Sequence, residues 1–205
     1  MRANAVPLLA AMLVAAAWWL VGQCIGKPTL PARVLFRDDF NRLDASVWWA
    51  PKGEPKVEAG NLVLSSTPGA GVEVQSYQSF RFARLQFRAS SKHWPVDTSL
   101  GYEHWAGSVH RGIVVTNGHL GIIDHSQPGT NEWYQPIPHW EKLQGKTNVF
   151  TIIWKKGRVA LRINGKPALT YKGPLVPDQA LRIRFNASND VADVVKVDYV
   201  VVKKS

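Results

Sequence analysis

Residues 98–105 read TSLGYEHW and contain one carboxylate, Glu103. Such a group could do two kinds of chemistry on a sugar. As an acid or nucleophile at a glycosidic bond it needs a second carboxyl about 5 to 5.5 Å away for retention, or roughly 6.5 to 9.5 Å for inversion. As a hydrogen-bond acceptor, or the partner of an arginine, it needs no second carboxyl and the site only binds. Asp97 has the parity of Glu103 but lies six residues away, about 20 Å along an extended strand. It cannot be the partner, which leaves Glu73 of GVEVQS and Glu132 of NEWYQ as candidates.

Two histidines form a second constellation. Asn117-Gly118 between IVVT and HLGII is a two-residue type I′ turn signal, because both central positions need positive φ. That turn pairs Arg111 with Asp124 and His110 with His125 across the hairpin, with directly opposed side chains as neighbours. Gly112 and Gly121 share the histidines' face and leave bare backbone for a ligand to approach. Ile113, Val115, Leu120 and Ile122 point the other way, to the core. A zinc pair at the histidines lacks an HExxH motif or a third ligand at a telling spacing, so polar lining is the expected role. No G-x-S-x-G, Walker loop or dinucleotide fingerprint is present.

The elements that must hold these residues are strands. VLFRDDF, NLVLS, GVEVQS, FRFARLQFRAS, GIVVT, HLGIID, VFTIIW, RVALRI, ALTY, ALRIRFN and VVKVDYVVV have strand length, with PGAG, NG and KKG between them. No amphipathic helix of three turns is present. Asn164-Gly165 marks a second tight hairpin. So many strands without helices predict an all-β fold, a two-sheet antiparallel sandwich or jelly roll, and a chain of 205 residues with 45% apolar content suits one domain.

The N-terminus reads differently. Met1-Arg2 precedes an uncharged, apolar run from Ala3 to Gly26. About 20 apolar residues suffice to span a bilayer, so residues 1–26 are expected to be a signal peptide or an N-terminal membrane anchor, helical and with the N-terminus inside. Residues 27–33 are a linker, and 34–205 the sandwich domain. Cys24 is the only cysteine, so the exported domain has neither a disulfide nor a thiol nucleophile. Without Arg2 there are 24 basic against 15 acidic residues, or +9, which favours anionic surroundings such as acidic glycan or lipid headgroups. Export argues against nucleic acid.

FARLQFRAS at 82–90, followed by Trp94-Pro95, resembles the Y-G-R-F-E-A-R-I-K strand and W-P of family-16 glycoside hydrolases of the laminarinase type. FRDDFNRLDASVWW is similar to their opening, VEAGNLVL to their second strand, VFTIIWKKGRVALRINGKPAL to their W-containing hairpin and KVDYVVV to their last strand. Together these cover about residues 34 to 203. The resemblance implies the concanavalin A-like lectin/glucanase jelly roll, with a concave sheet forming a sugar cleft. It departs where those enzymes carry E-x-D-x-(x)-E, since TSLGYEHW has one carboxylate.

Alternation and composition suggest further lining for that cleft. On FARLQFRAS, Ala83, Leu85, Phe87 and Ala89 alternate with Arg84, Gln86 and Arg88, and the polar face is expected to open on the cleft, its arginines suiting an acidic saccharide. Trp94 and Trp105, which flank the motif region, are expected among the carbohydrate-binding residues. Trp133, Tyr134 and Trp140 lie in EWYQPIPHW, a proline-stiffened loop suited to sugar stacking. Trp48 and Trp154 are expected in the core. The resemblance also implies a structural Ca2+ between Asp198 and the backbone near Gly60. No other cofactor is required. The expected function is an extracytoplasmic, secreted or membrane-anchored carbohydrate-recognition domain holding a polysaccharide. The alternatives are a glycoside hydrolase using Glu103 with a carboxylate from another strand, and a structural envelope domain with a protein partner.

Overall fold

Period-two alternation along nearly every segment gives each strand one apolar face, and here those faces are buried against each other in two antiparallel sheets. The structure is a computed structural model and describes residues 32–94, 98–126, 131–188 and 190–205. The apolar segment 1–26 with Cys24, the linker through residue 31, and Asp97 lie outside the described residues. Among those described, no helix is long and apolar enough to cross a membrane.

In chain order the strands are β1 (Val34–Asp38), β2 (Trp48–Lys52), β3 (Lys56–Glu58), β4 (Asn61–Ser66), β5 (Val72–Phe80), β6 (Ala83–Ser90), β7 (Ser99–Ala106) and β8 (Val109–Thr116). They continue as β9 (His119–Asp124), β10 (Glu132–Pro136), β11 (Asn148–Lys155), β12 (Arg158–Ile163), β13 (Lys166–Lys172), β14 (Leu181–Ala187) and β15 (Asp193–Lys204). One sheet runs β13-β12-β11-β6-β15-β4-β3, with β1 also on β15, and the other runs β10-β9-β8-β7-β14-β5-β2. Arg33–Ser205 form one compact unit.

Both predicted turns are present, with positive φ at Asn117, Gly118, Asn164 and Gly165. The β8–β9 register places Arg111 opposite Asp124. Their side chains meet at 3.2 Å. Just beyond the ladder, the His125 amide donates to the His110 carbonyl at 2.8 Å. Sequence parity therefore fixed this hairpin correctly.

The core lies between the sheets. Phe87 stacks on Phe150 at 5.4 Å and meets Phe185 of the other sheet edge-on at 5.6 Å. Trp48 and Trp154 are buried, as expected. Each indole N–H is satisfied, by Asp38 Oδ2 at 2.7 Å and by the Pro177 carbonyl at 3.0 Å. With no disulfide possible in this unit, such packing carries its stability. Phe87→Ala is expected to cost about 3 to 5 kcal/mol, read as a lower urea midpoint with an unchanged slope.

Candidate functional site

On the outward side of the seven-stranded sheet lies an open cleft of about 510 Å³, its lining drawn from β7, β8, β9, β10 and β14. Alternation puts Leu100 and Tyr102 of β7 into the core, so Ser99, Gly101, Glu103 and Trp105 face the cleft side. Along this strand the cleft receives one carboxylate.

Glu103 is 3% exposed and fully engaged. Its Oε1 meets His110 Nε2 at 2.9 Å, and its Oε2 accepts from Ser99 Oγ at 3.0 Å and from Arg184 Nη1 at 2.5 Å. The other arm of the same guanidinium, Nη2, donates to Glu73 Oε2 at 2.6 Å. Glu73 Oε1 accepts from Gln75 Nε2. Arg184 thus forms a fork between two buried carboxylates.

The backbone explains how three strands deliver these groups to one point. Arg184 of β14 stands opposite Gly101 of β7 on one side and Gln75 of β5 on the other. Glu103 and Glu73 are its diagonal neighbours. Position 101 has no room for a side chain, because a Cβ there would lie 2.3 Å from the Ile113 carbonyl oxygen. Ser99 and Glu103 therefore bond to each other across a bare position. Gly112 and Gly121 serve the same purpose. A Cβ at 112 would sit 3.1 Å from Glu103 Cγ, and one at 121 would sit 2.6 Å from Tyr134 Cε1. These glycines, read in the sequence as open backbone for a ligand, are instead covered by the protein's own Glu103 and Tyr134.

Burial alone would raise the Glu103 pKa, but the hydrogen bond with His110 and the charge of Arg184 outweigh it, and the carboxyl is held below its ordinary value. Arg184 moves up: burial opposes its charge, yet the bond to Glu73 and the charges of both carboxylates win. Burial and the charges of Glu132 and Glu103 push Tyr134 up to about 12. At neutral pH Glu103 is therefore held as the carboxylate and Tyr134 as the phenol.

The other cleft residues form a rim. Trp105 is half-exposed and stacks flat on His110, with centroids 3.7 Å apart and planes 13° apart. His110 meets His125 edge-on at 5.5 Å, and His125 Nε2 contacts Glu132 Oε1 at 2.7 Å. Tyr134 is 44% exposed beside them. His119, Asn117 and Asn186 add polar groups to the lining.

Several sequence expectations are corrected. Arg84, Gln86 and Arg88 lie on β6, in the sheet that does not carry Glu103. Their face opens on the opposite side of the molecule, where Arg88 pairs with Asp198 at 2.9 Å and Gln86 bonds to Tyr199. Alternation separated the two faces of β6 but could not say which sheet the strand joins. Trp94 is fully buried, packed edge-on against Trp140 at 5.2 Å. Trp140 is partly buried and roofs Gly118. Glu132–Pro136 is an edge strand, where Pro136 is tolerated. Its register puts Trp133 opposite Ile122 on the core side, against Tyr171 at 4.6 Å. Only Tyr134 of that aromatic segment reaches the cleft.

Of the ligands the resemblance implies for calcium, Asp198 pairs with Arg88 through Oδ2 at 2.9 Å, both side chains partly exposed. Among the described residues no group of three or more His, Cys, Asp or Glu side chains could hold a metal. Arg184, Asn186 and Gln75 were missed. The alternation in LRIRFNA marks Arg184 as a polar-face residue, but its approach to Glu103 depends on long-range pairing of β7 with β14.

No family model matches the sequence, and no curated protein matches it. Solved structures match its fold. A β-1,3-1,4-glucanase (lichenase) derived from a mouse hindgut metagenome superposes with TM-score 0.67 at 14% identity, over 83% of this chain and 99% of that one. The laminarinase of Flavobacterium sp. UMI-01 gives 0.60 at 14% identity, over 83% and 100%. A human gut microbiota structure described with endo-acting O-glycanases that initiate mucin breakdown gives 0.62 at 15%, over 84% and 99%. The chain has the concanavalin A-like jelly roll of laminarinase- and lichenase-type domains.

Arg184→Met tests the fork. It leaves two buried carboxylates without their cation, an expected loss of about 3 to 5 kcal/mol at neutral pH. Glu103 then loses the arginine charge that helps hold its pKa down, so the deficit should shrink as acid protonates it. In the wild type the sign is opposite: Glu103, with its lowered pKa, stabilises above the unfolded carboxylate pKa of about 4.3, and this is lost as pH falls through the folded value. Urea melts of both proteins at neutral and mildly acidic pH would show whether the gap narrows.

Proposed function

We propose that this protein is an extracytoplasmic carbohydrate-recognition domain that holds a polysaccharide segment in the cleft without hydrolysing it. The observation that carries this reading is the Glu103 clamp. A glycosidic general acid needs a carboxyl with a raised pKa, poised beside the leaving oxygen. Glu103 instead has a lowered pKa, which disfavours that role. A nucleophile, which would be ionised, needs an oxygen free to attack, whereas both oxygens of Glu103 are spent on His110, Ser99 and Arg184. Glu73 is held by the far arm of the same guanidinium. Glu132, the other candidate partner, is tied to His125.

The clamp still serves binding. It fixes His110, which in turn supports the exposed Trp105 platform, and a rigid aromatic face beside polar groups is the usual composition of a sugar site. The comparison proteins named as a lichenase, a laminarinase and O-glycanases support a glycan as the ligand. Arg184 balances one of the two carboxylates it bridges, and Arg84 and Arg88 lie on the other sheet, so the cleft suits a neutral rather than an acidic glycan. The cleft is open rather than filled by its own aromatics, which favours this reading over a structural domain with a protein partner. The uncharged run from Ala3 to Gly26 supports export, with the segment cleaved or retained as a membrane anchor.

A glycan array probed with the full chain should return binding to neutral β-linked polysaccharides. Glu103→Gln should then weaken binding by about 1 to 3 kcal/mol. Trp105→Ala, which removes the exposed ring, should cost about 1 kcal/mol. Neither variant has turnover to lose. Release of reducing ends by the wild type, abolished in Glu103→Gln with binding retained, would instead establish a hydrolase.

A further inference from the structure

The outer face of the eight-stranded sheet is built differently from the cleft. The register sets Lys203 of β15 opposite Arg84 of β6, and Arg84 opposite Ile153 of β11. Ile153 faces Ala160 of β12, and Lys155 faces Arg158. Their sequence neighbours Leu85, Trp154, Val159 and Val202 are fully buried, so all four cations stand on the outward side. Arg84, Lys155 and Arg158 line a cavity of about 220 Å³ on this face.

Among the described residues none of these four cations forms an ion pair. Arg84 Nε is buried without an acceptor. The opposite face differs, because its buried carboxylates are matched by Arg184. This face thus carries four cations without an ion pair across four adjacent strands about 4.8 Å apart. A single small anion could meet only part of such a band, whereas an extended plane of phosphates could meet all of it.

Chain direction supplies the second observation. Val34, at the start of β1, pairs with Lys203, and the Lys204 amide donates to the Arg33 carbonyl at 2.9 Å. The polypeptide therefore enters the domain at the margin of the basic band. Seven residues, 27–33, separate that entry from the uncharged run ending at Gly26, a reach of at most about 25 Å. An apolar segment of that length partitions into bilayers, which would bring this face, rather than the cleft, beside the headgroups.

We propose that this basic outer face docks on the anionic phospholipid headgroups of a membrane, so that the cleft on the opposite sheet is turned away from the bilayer. Juxtamembrane Lys and Arg each gain from an anionic surface by an amount equal to about fivefold in affinity. The inference stands apart from the glycan reading, because it uses the other sheet and another ligand.

The test measures affinity of the full chain for vesicles of phosphatidylcholine alone and for vesicles carrying about 30% phosphatidylglycerol as the anionic lipid. Partitioning of the apolar run is common to both and divides out of the ratio. In low salt the ratio should favour anionic vesicles by about tenfold or more, and it should collapse toward one in about 0.5 M NaCl. In Arg84→Gln/Lys155→Gln/Arg158→Gln/Lys203→Gln it should fall close to one with the β-sheet circular dichroism retained. A wild-type ratio near one, or a folded variant that keeps the wild-type ratio, overturns the proposal. So does loss of binding to a soluble polyanion such as dextran sulfate in the variant with the vesicle ratio unchanged, which would assign the face to an acidic polymer. Should the variant fail to fold, the salt dependence of the wild-type ratio decides alone.

Discussion

The site depends on one guanidinium shared by two buried carboxylates. Arg184 reaches Glu103 with Nη1 and Glu73 with Nη2. Without it the centre of the seven-stranded sheet would hold two desolvated negative charges on adjacent diagonals. Breaking a buried pair by removing one partner leaves an uncompensated charge, a cost far above that of a surface ion pair. Much of the local sequence follows from accommodating this fork. Gly101 leaves the space that Ser99 and Glu103 bridge, and Gly112 lets the Glu103 side chain lie flat on β8.

The same constraint shapes the chemistry. A carboxylate held ionised from several directions is a firm acceptor and a poor proton donor. Glu103 orients His110, His110 supports Trp105, and His125, edge-on to His110, contacts Glu132. The result is a cleft face of alternating polar and aromatic groups, each held by its neighbour. The far sheet carries its cations on neighbouring strands, away from this cleft.

Local patterns in the sequence foretold local structure well. Two Asn-Gly turns, the strand alternation and the Arg111–Asp124 pairing are all consequences of period two and of positive φ at the turn, and both can be read from a few consecutive residues. The sandwich itself was legible from the number of strands and from the resemblance spread over residues 34 to 203. Sheet membership was not. FARLQFRAS shows clearly that Arg84 and Arg88 share a face, yet which sheet β6 joins is decided by its pairing with β11 and β15, segments far along the chain. Arg184 was missed for the same reason. The aromatic segment shows a further limit: Trp133 and Tyr134 are adjacent, and an edge strand sends one ring to the core and the next to the cleft, where the prolines had suggested an irregular loop.

The most direct test of the account is the titration of Glu103 itself, followed through its side-chain carboxyl carbon by NMR in the full chain and assigned with Glu103→Gln. The account predicts a midpoint below the ordinary glutamate value of about 4.3 and no titration of this group near neutrality. A midpoint raised to about 6, the range of a glycosidic general acid, would contradict it and return Glu103 to acid catalysis.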